Sequence, residues 1–297
     1  MATQTEPAAD PKTWIKRYPD VPAADSREII ELRQLPLVGA TRAQLFWLLG
    51  VRKLADIAAL DETEFRSDPR VAAYPDGSIV DAFPLIQGYA KAITENRALV
   101  YGADPALESV EGPLVYFDLE FNAGVHEIFL WGLKRSGDVP VEQWFSHRRE
   151  DQRADRERFI TLVEEEDPLF VAYGSLASDE VAIREAARSH DLEGSWLRKM
   201  RFLDLLKRFI FTESPETQRV YLPVRKLKCE HVAVFFGYKK PRSIDVRDGY
   251  HALKLYQRYK RRPEPSIRDR LCRYNAEDLY QTELIFEGLK ELFRQEE

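Results

Sequence analysis

Hydrophobic residues recur at helical spacing in the first third of the chain and at strand spacing directly after it. Apolar positions about three to four residues apart fill the segments 27–33, 35–60 and 79–96, a pattern typical of short amphipathic helices. Breaks at Val38-Gly39 and Gly50-Val51 predict tight turns within the second segment. The first third is therefore expected to be helical.

A change of pattern follows the segment 103–113, whose Pro, Gly and acidic residues are typical of a linker. The runs LVYFDLEF, EIFLWGL and 141–145 then read as consecutive strands, with a turn at Asn122-Ala-Gly. A charged helix, a short strand at 169–173 and further helices follow, which predicts an α/β fold with a mixed sheet flanked by helices. The predicted division is a flexible tail at 1–25, a helical domain at 26–105, a linker at 106–111 and an α/β domain at 112–297.

Composition adds few restrictions. The 297 residues include 44% hydrophobic residues, enough to build real cores, and the net charge of −6 disfavours a nucleic-acid coat but not an acidic active site. The two cysteines, Cys229 and Cys272, lack the spacing of a disulfide framework or a zinc site. The chain has no apolar run of about 18 residues and no hydrophobic signal core, so we expect a soluble cytoplasmic protein without a membrane partner.

Two carboxylates lie side by side on the first long strand. Asp118 and Glu120 share one strand face with Tyr116, because side chains alternate along a strand. Like charges on a central strand raise at least one pKa unless a cation compensates them, and hard divalent cations prefer oxygen ligands. An edge strand whose acids simply meet water remains the other interpretation of this pattern.

Two later sites carry further acids. Asp179 lies in the first turn of a helix after a short apolar strand, where Ser178 can cap the helix. Tyr274 and Asp278 are four residues apart on an amphipathic helix and so share a face, which suits a phenol and a carboxylate that orient water. Alternatively, Asp179 only stabilises the start of its helix, Tyr274 is a core residue and Asp278 is a surface acid.

In this order and context the acidic sites resemble those of the DEDD (DnaQ-like) 3′-5′ exonuclease superfamily, which has an RNase H-like fold. Within it, the chain is similar to the YprB-type predicted nucleases over about residues 112–292. HEIFLWGL, VAYGS, FLDLLKRF, LKCEHVAVFFGY and RYNAEDLYQT also carry the resemblance.

The resemblance implies that Asp118, Glu120, Asp179 and Asp278 bind two Mg²⁺ or Mn²⁺ ions. It also implies that Tyr274 positions water, as in the tyrosine subclass. Glu180 is an alternative to Asp179, and Asp204 is a further candidate near the site. The implied activity is 3′-5′ exonuclease cleavage of single-stranded DNA or RNA ends. A non-catalytic nucleic-acid-binding module and a structure-specific endonuclease remain the competing interpretations.

Two segments are candidates for contacts with nucleic acid. The stretch 34–51 resembles a helix-hairpin-helix, in which Gly39 would lie at a phosphate-binding helix start and Arg42 beside it, although Leu37 replaces the usual first glycine. The second segment precedes Asp278 and has cations interleaved with tyrosines, a pattern that favours binding of single-stranded nucleic acid. Its candidate cations are Arg258, Lys260, Arg261, Arg262 and Arg270. A purely structural helix pair and a solvated surface are the alternatives. The sequence lacks a GxxxxGK[ST] loop, so a helicase or repair partner would have to supply any ATP-driven step.

Overall fold

The computed structural model describes residues 10–102, 107, 110, 112–125, 127–174, 178–189, 192–212, 214–241 and 243–295. The chain forms two compact units. The first comprises Met1–Tyr101 and Phe209–Phe235, and the second comprises Gly102–Arg208 and Phe236–Glu297. Most of the predicted linker at 106–111 and the tail at 1–9 lie outside the described residues.

The first unit is mainly helical, as the periodicity predicts. Its helices are α1 (Pro11–Ile15), α2 (Arg27–Arg33), α3 (Ala40–Leu48), α4 (Leu54–Ala59), α5 (Glu62–Ser67), α6 (Pro69–Ala72), α7 (Ser78–Glu95) and, from the second segment, α11 (Cys229–Phe235). The segment 1–25, predicted as a flexible tail, contains α1 from residue 11 onward. Asp10 caps α1, and Trp14 is buried against Tyr18 and Tyr74, because an indole gains more from a core than from solvent.

Both predicted turns are present around α3. Leu37 precedes the helix with φ of +66°, a conformation that favours glycine, and Gly39 is the N-cap residue. Gly50 follows the helix with φ of +91°, which is typical of a helix C-terminus. The turn before α3 therefore has a glycine-like backbone conformation at the position where the helix-hairpin-helix resemblance lacks its first glycine.

Residues 209–235 pack with the first unit, so a domain that runs without interruption from 112 to 297 does not match the contacts. Strand β7 (Val220–Tyr221) pairs antiparallel with β1 (Leu99–Val100). A Cβ at Gly88 would lie 2.3 Å from the Tyr221 ring, so only glycine admits this ring against α7. The Tyr89 hydroxyl also donates to the Ile210 carbonyl. Pairing across more than a hundred residues leaves no local signal in the sequence.

The second unit contains a five-stranded mixed sheet in the order β4-β3-β2-β5-β6. Its strands are β2 (Leu114–Asn122), β3 (Glu127–Arg135), β4 (Glu142–Phe145), β5 (Leu169–Ala172) and β6 (Arg201–Asp204). β2, β3 and β4 pair antiparallel, whereas β5 pairs parallel with both β2 and β6. The prediction of a mixed sheet is therefore confirmed, and β2 lies at its centre.

Helices cover both faces of this sheet. Apolar residues of α8 (Arg149–Glu166) and α9 (Asp179–Ser189) pack on one face, and α12 (Gly249–Arg261) and α13 (Pro265–Gln295) pack on the other. A short helix α10 (Trp196–Lys199) and a π-helical turn (Leu206–Ile210) flank β6. The sequence pattern favoured a helix around Asp204, but this residue ends β6, a four-residue strand too short to show alternation.

Candidate active site

Strand β2 presents its two acids on the face away from the aromatic core. Phe117 and Leu119 join the apolar cluster under α8 and α9, which leaves Asp118 and Glu120 on the opposite face. Because β2 has a neighbour on each side, neither acid lies on an edge strand. The edge-strand interpretation of the sequence is therefore wrong.

Helix α13 supplies the third acid of the cluster. One carboxylate oxygen each of Asp118, Glu120 and Asp278 lies within 4.8 Å of the other two. Tyr274 stands one helical turn before Asp278, and its phenol hydrogen-bonds the Asp278 carboxylate. The strand and the helix thus bring together four of the residues that the sequence singled out.

Asp179 lines the same cleft, which has a volume of about 390 Å³. Ser178 donates to its Oδ1 at 3.1 Å, at the start of α9. The cleft is lined by Asp118, Leu119, Glu120, Phe121, Ala123, Ser178, Asp179, Gly249, Tyr250, Leu253, Tyr274 and Asp278. A larger groove of about 820 Å³ lies beside β4 and α8. Glu166, one of the acids that line this groove, is already paired with Arg135.

The two alternative acids have other partners. Glu180 accepts from the Arg184 guanidinium one helical turn later, at 2.5 and 2.9 Å. The Asp204 carboxylate accepts from three backbone N–H groups, those of Gly174, Leu206 and Lys207, at 2.8 to 3.2 Å. Asp204 therefore holds the turn after β5 in place, close enough to Asp179 for its charge to raise the pKa of that residue.

Burial and neighbouring acids raise the pKa values of Asp118, Glu120 and Asp179. Burial has the largest effect on the pKa of Asp118, followed by the charges of Asp278, Glu120 and Asp179. The pKa of Glu120 is raised by burial and by Asp278 and Asp179. Burial raises the pKa of Asp179 to about 7. The cluster therefore resists full ionisation near neutral pH unless positive charge compensates it.

The structure adds Asn275, which the sequence analysis did not identify. This residue is fully buried, and its Nδ2 donates to Asp118 Oδ2 at 2.7 Å and more weakly to the Asp118 carbonyl at 3.3 Å. Its Oδ1 accepts from Gln143 Nε2 at 2.7 Å, and the same nitrogen donates to the Cys272 carbonyl. The hydrogen bond from Asn275 lowers the pKa of Asp118 and fixes one carboxylate oxygen.

Gly132 makes room for this amide. It lies opposite Asp118 on β3, and a Cβ at this position would lie only 2.2 Å from Asn275 Oδ1. The glycine inside EIFLWGL is the one sequence signal of this arrangement, because glycine inside a strand often marks a close approach.

A family model for the RNase_H superfamily matches residues 115–290, which is more than half of the chain and a range that contains the acidic cluster. The chain belongs to the RNase H superfamily. Membership in this superfamily supports a nuclease that uses divalent metal.

The donors in the cleft fit such a metal. Three carboxylates converge there, and burial together with the neighbouring acids raises the pKa values of Asp118 and Glu120. Hard divalent cations prefer such all-oxygen sites, so Asp118, Glu120 and Asp278 are the residues that would hold one.

A solved structure similar to the chain is that of the family B DNA polymerase from the hyperthermophilic archaeon Pyrobaculum calidifontis, with 19% identity and a TM-score of 0.45. The match covers 61% of this chain and 25% of the polymerase chain. No curated protein sequence matches the chain. Within the described part of the chain, none of the helices combines the length and the apolar character that a membrane crossing needs.

The basic surface predicted before Asp278 lies on α12, the following loop and α13, and most of it is paired with acids. Arg258 and Arg262 lie 3.3 and 3.8 Å from Glu264, and Arg270 lies 2.8 Å from Asp245. Arg261 is exposed. Exposed pairs of this kind are weak in water, so phosphate can compete for these cations.

Lys260 takes part in a more buried contact. Its Nζ lies 2.8 Å from Glu127, which also accepts from Tyr256 and Gln152. Burial alone would raise the pKa of Glu127, but the hydrogen bonds from these three residues outweigh it and lower the pKa. Lys260 therefore ties α12 to β3 in addition to any role at the surface.

In the first unit, Arg42 and Gly39 were the residues predicted to contact phosphate. The Arg42 guanidinium donates to Asp76 at 2.8 and 3.0 Å and to the Leu37 carbonyl at 3.0 Å. Arg42 therefore stabilises the turn before α3 rather than extending into solvent, and a phosphate would have to compete with Asp76. Gly39 leaves the first N–H groups of α3 without a side-chain cap.

Proposed function

We propose that this chain is a metal-dependent nuclease that removes nucleotides from the 3′ end of single-stranded nucleic acid. The observation that carries the proposal is the convergence of Asp118, Glu120 and Asp278 within 4.8 Å, with Asp179 in the same cleft. Membership in the RNase H superfamily supports the nuclease chemistry. The 3′-5′ polarity rests on the resemblance of the acidic sites to the tyrosine subclass of DEDD exonucleases.

In the proposed mechanism the acids and the phenol have separate roles. Two Mg²⁺ or Mn²⁺ ions would supply a lowered pKa for the attacking water and charge stabilisation for the leaving 3′ oxygen. Asp118, Glu120, Asp179 and Asp278 would hold these ions in the cleft. The pKa of the Tyr274 phenol is raised by burial and by the nearby acids, so the phenol keeps its proton, and with its O–H directed to Asp278 its oxygen would accept from a water beside that carboxylate.

Asn275 acts as a positioning residue in this proposal. Its amide donates to Asp118 Oδ2 at 2.7 Å and so restricts the rotation of the carboxylate that would bind the cation. A neutral donor also favours the ionised form of Asp118 without adding a charge that would compete with the cation. The first unit, with its helix-hairpin-helix-like turn at Gly39, is proposed to contact the nucleic-acid backbone through N–H groups of α3.

Cleavage of 5′-labelled single-stranded DNA and RNA tests the function directly. The wild type is compared with Asp118→Asn in Mn²⁺, Mg²⁺ and EDTA. Glu291→Gln serves as the control, because Glu291 is an exposed acid outside the cluster, on the helix α13 that carries Asp278. We expect metal-dependent shortening from the 3′ end by the wild type and the control, and a loss of at least about 100-fold in Asp118→Asn. Binding without cleavage in every metal would refute the nuclease in favour of a non-catalytic module, and cleavage of circular single strands would indicate an endonuclease.

A further inference from the structure

An exposed tyrosine stands at the mouth of the acidic cleft. Tyr250 is 67% exposed, the highest fraction among the large hydrophobic residues that the structure describes, and it lines the cleft together with Gly249 and Leu253. Scattered exposed apolar residues are common on proteins, so its exposure alone assigns no role. Its place beside four carboxylates that would act on a phosphodiester gives the exposure a meaning.

The start of α12 fixes the distance between this ring and the acids. Asp248 caps the helix by accepting from the His251 N–H at 2.8 Å. A Cβ on Gly249 would lie 3.9 Å from Glu120 Oε2, so the backbone of α12 runs directly past the acid. Tyr250, the next residue, is therefore held within reach of a nucleotide whose phosphate lies at the carboxylates.

A lysine supports the ring. Lys254 Nζ lies 4.2 Å from the centroid of the Tyr250 ring, one helical turn further along α12. A cation over an aromatic face is attracted by the ring quadrupole and restricts the rotation of the side chain. The pair thus presents an aromatic surface for a base and a positive charge for the backbone phosphates that follow it.

Apolar side chains also line the cleft. Phe121 and Ala123 line it at the end of β2, and Leu253 adds to the apolar lining beside Tyr250. The cleft is therefore lined both by acids and by apolar or aromatic side chains. A base fits this lining because stacking on an aromatic ring removes water from the face of the base, whereas a sugar or phosphate alone would leave the ring hydrated.

We propose that Tyr250, supported by Lys254, stacks on the unpaired base of the terminal nucleotide whose phosphate reaches Asp118, Glu120 and Asp278. This inference rests on the proposed nuclease function and assigns to Tyr250 the contact that recognises an unpaired last base. Every base has an aromatic face, so the platform selects for single-strandedness and not for sequence.

The test uses an oligonucleotide with 2-aminopurine at its 3′ end, a base whose fluorescence falls on stacking. Binding is titrated in Ca²⁺ and in EDTA with the wild type, Tyr250→Ala, Tyr250→Phe and Tyr280→Ala. Tyr280 is the matched control, because it is an exposed tyrosine near a lysine, Lys134, but does not line the cleft. Circular dichroism verifies that each variant is folded.

We expect Tyr250→Ala to bind this end roughly 5- to 150-fold more weakly and to lose the quenching, while Tyr250→Phe and Tyr280→Ala behave like the wild type. For an oligonucleotide with an abasic 3′ end, Tyr250→Ala should match the wild type. If Tyr250→Ala weakens binding of the abasic end as strongly, the tyrosine has only a structural role and the inference is overturned.

The outcomes separate the inference from the nuclease itself. Cleavage by the wild type together with unchanged binding by Tyr250→Ala refutes the stacking role and leaves the nuclease standing. Quenching that depends on Tyr250, without cleavage in Mg²⁺ or Mn²⁺, refutes the nuclease and retains the stacking site. A wild type that neither cleaves nor quenches overturns both.

Discussion

Replacing Asp179 by Asn tests how much repulsion and burial cost this protein in the absence of metal. Burial and the charge of Asp204 raise the pKa of Asp179 from an ordinary value of 3.8 to about 7, although the hydrogen bond from Ser178 opposes the shift. An Asn at this position carries no charge and still offers Ser178 an acceptor. We expect Asp179→Asn to be more stable than the wild type when divalent cations are removed.

The size and sign of this effect follow from the pKa. The difference between 3.8 and about 7 corresponds to about 4 kcal/mol in the free energy of unfolding. Because the folded pKa lies above the unfolded one, the wild type has this stability below about pH 4 and loses it as the pH rises through about 7. The advantage of the variant therefore opens between pH 4 and pH 7. Water entry and relaxation reduce it, so about 1 to 4 kcal/mol is expected at pH 7.5.

Urea unfolding followed by tryptophan fluorescence measures this difference at pH 5 and pH 7.5 in EDTA, and then in Mn²⁺. A cation that binds only the folded state stabilises it by mass action, so the wild type should gain stability in Mn²⁺ and Asp179→Asn should gain much less. Glu180→Gln is the matched control, since Glu180 pairs with Arg184 outside the acid cluster. Equal stability of Asp179→Asn and the wild type at pH 7.5 in EDTA would refute the electrostatic reasoning. A loss of Mn²⁺ stabilisation in Glu180→Gln alone would make Glu180 the ligand.

Two further predictions concern the surroundings of the cleft. Gly132→Ala places a methyl group 2.2 Å from Asn275 Oδ1, so it should lower the free energy of unfolding by about 1 to 3 kcal/mol and weaken stabilisation by Mn²⁺. Gly77→Ala, with no atom within 4 Å of its Cβ, is the control in the same urea series, and equal behaviour of the two variants would contradict the steric argument. Glu127→Gln removes the ion pair with Lys260 and should cost about 1 to 2 kcal/mol at pH 7. Because the folded pKa of Glu127 is lowered, this loss should vanish as the pH falls below about 4, and a loss that persists at pH 3 would speak against the pair.

The sequence predicted the central part of the site because each element leaves a local pattern. Alternation along β2 puts Asp118 and Glu120 on one face of the strand. Helical spacing likewise puts Tyr274 and Asp278 on one face of α13. Both rules act within a single element, so they apply without knowledge of tertiary contacts. The mixed sheet followed from the same logic, because a run of three strands and then alternating elements restricts the topology.

The rest depended on contacts between residues far apart in sequence. Asn275 touches Asp118 across 157 positions, and its only trace in the sequence is an unexplained glycine in β3. The pairing of β1 with β7 likewise joins residues more than a hundred positions apart, which removes 209–235 from the predicted α/β domain. Arg42 appeared available for phosphate because sequence does not reveal Asp76 as its partner.

One turn of α13 carries three groups of the acidic site: a carboxylate, an amide that positions Asp118 and a phenol. Asp278 lies four residues after Tyr274 and three after Asn275, so all three fall on the side of α13 that packs on β2 and β3. Asp278 adds negative charge to the cluster, whereas the amide of Asn275 lowers the pKa of Asp118 and the phenol of Tyr274 is hydrogen-bonded to Asp278. Because one rigid helix carries all three groups, any shift of α13 against β2 would change the charge, the orientation of Asp118 and the position of the phenol at once. Gly132, which lets this helix approach β3, is therefore the residue at which packing and the chemistry of the site are most directly linked.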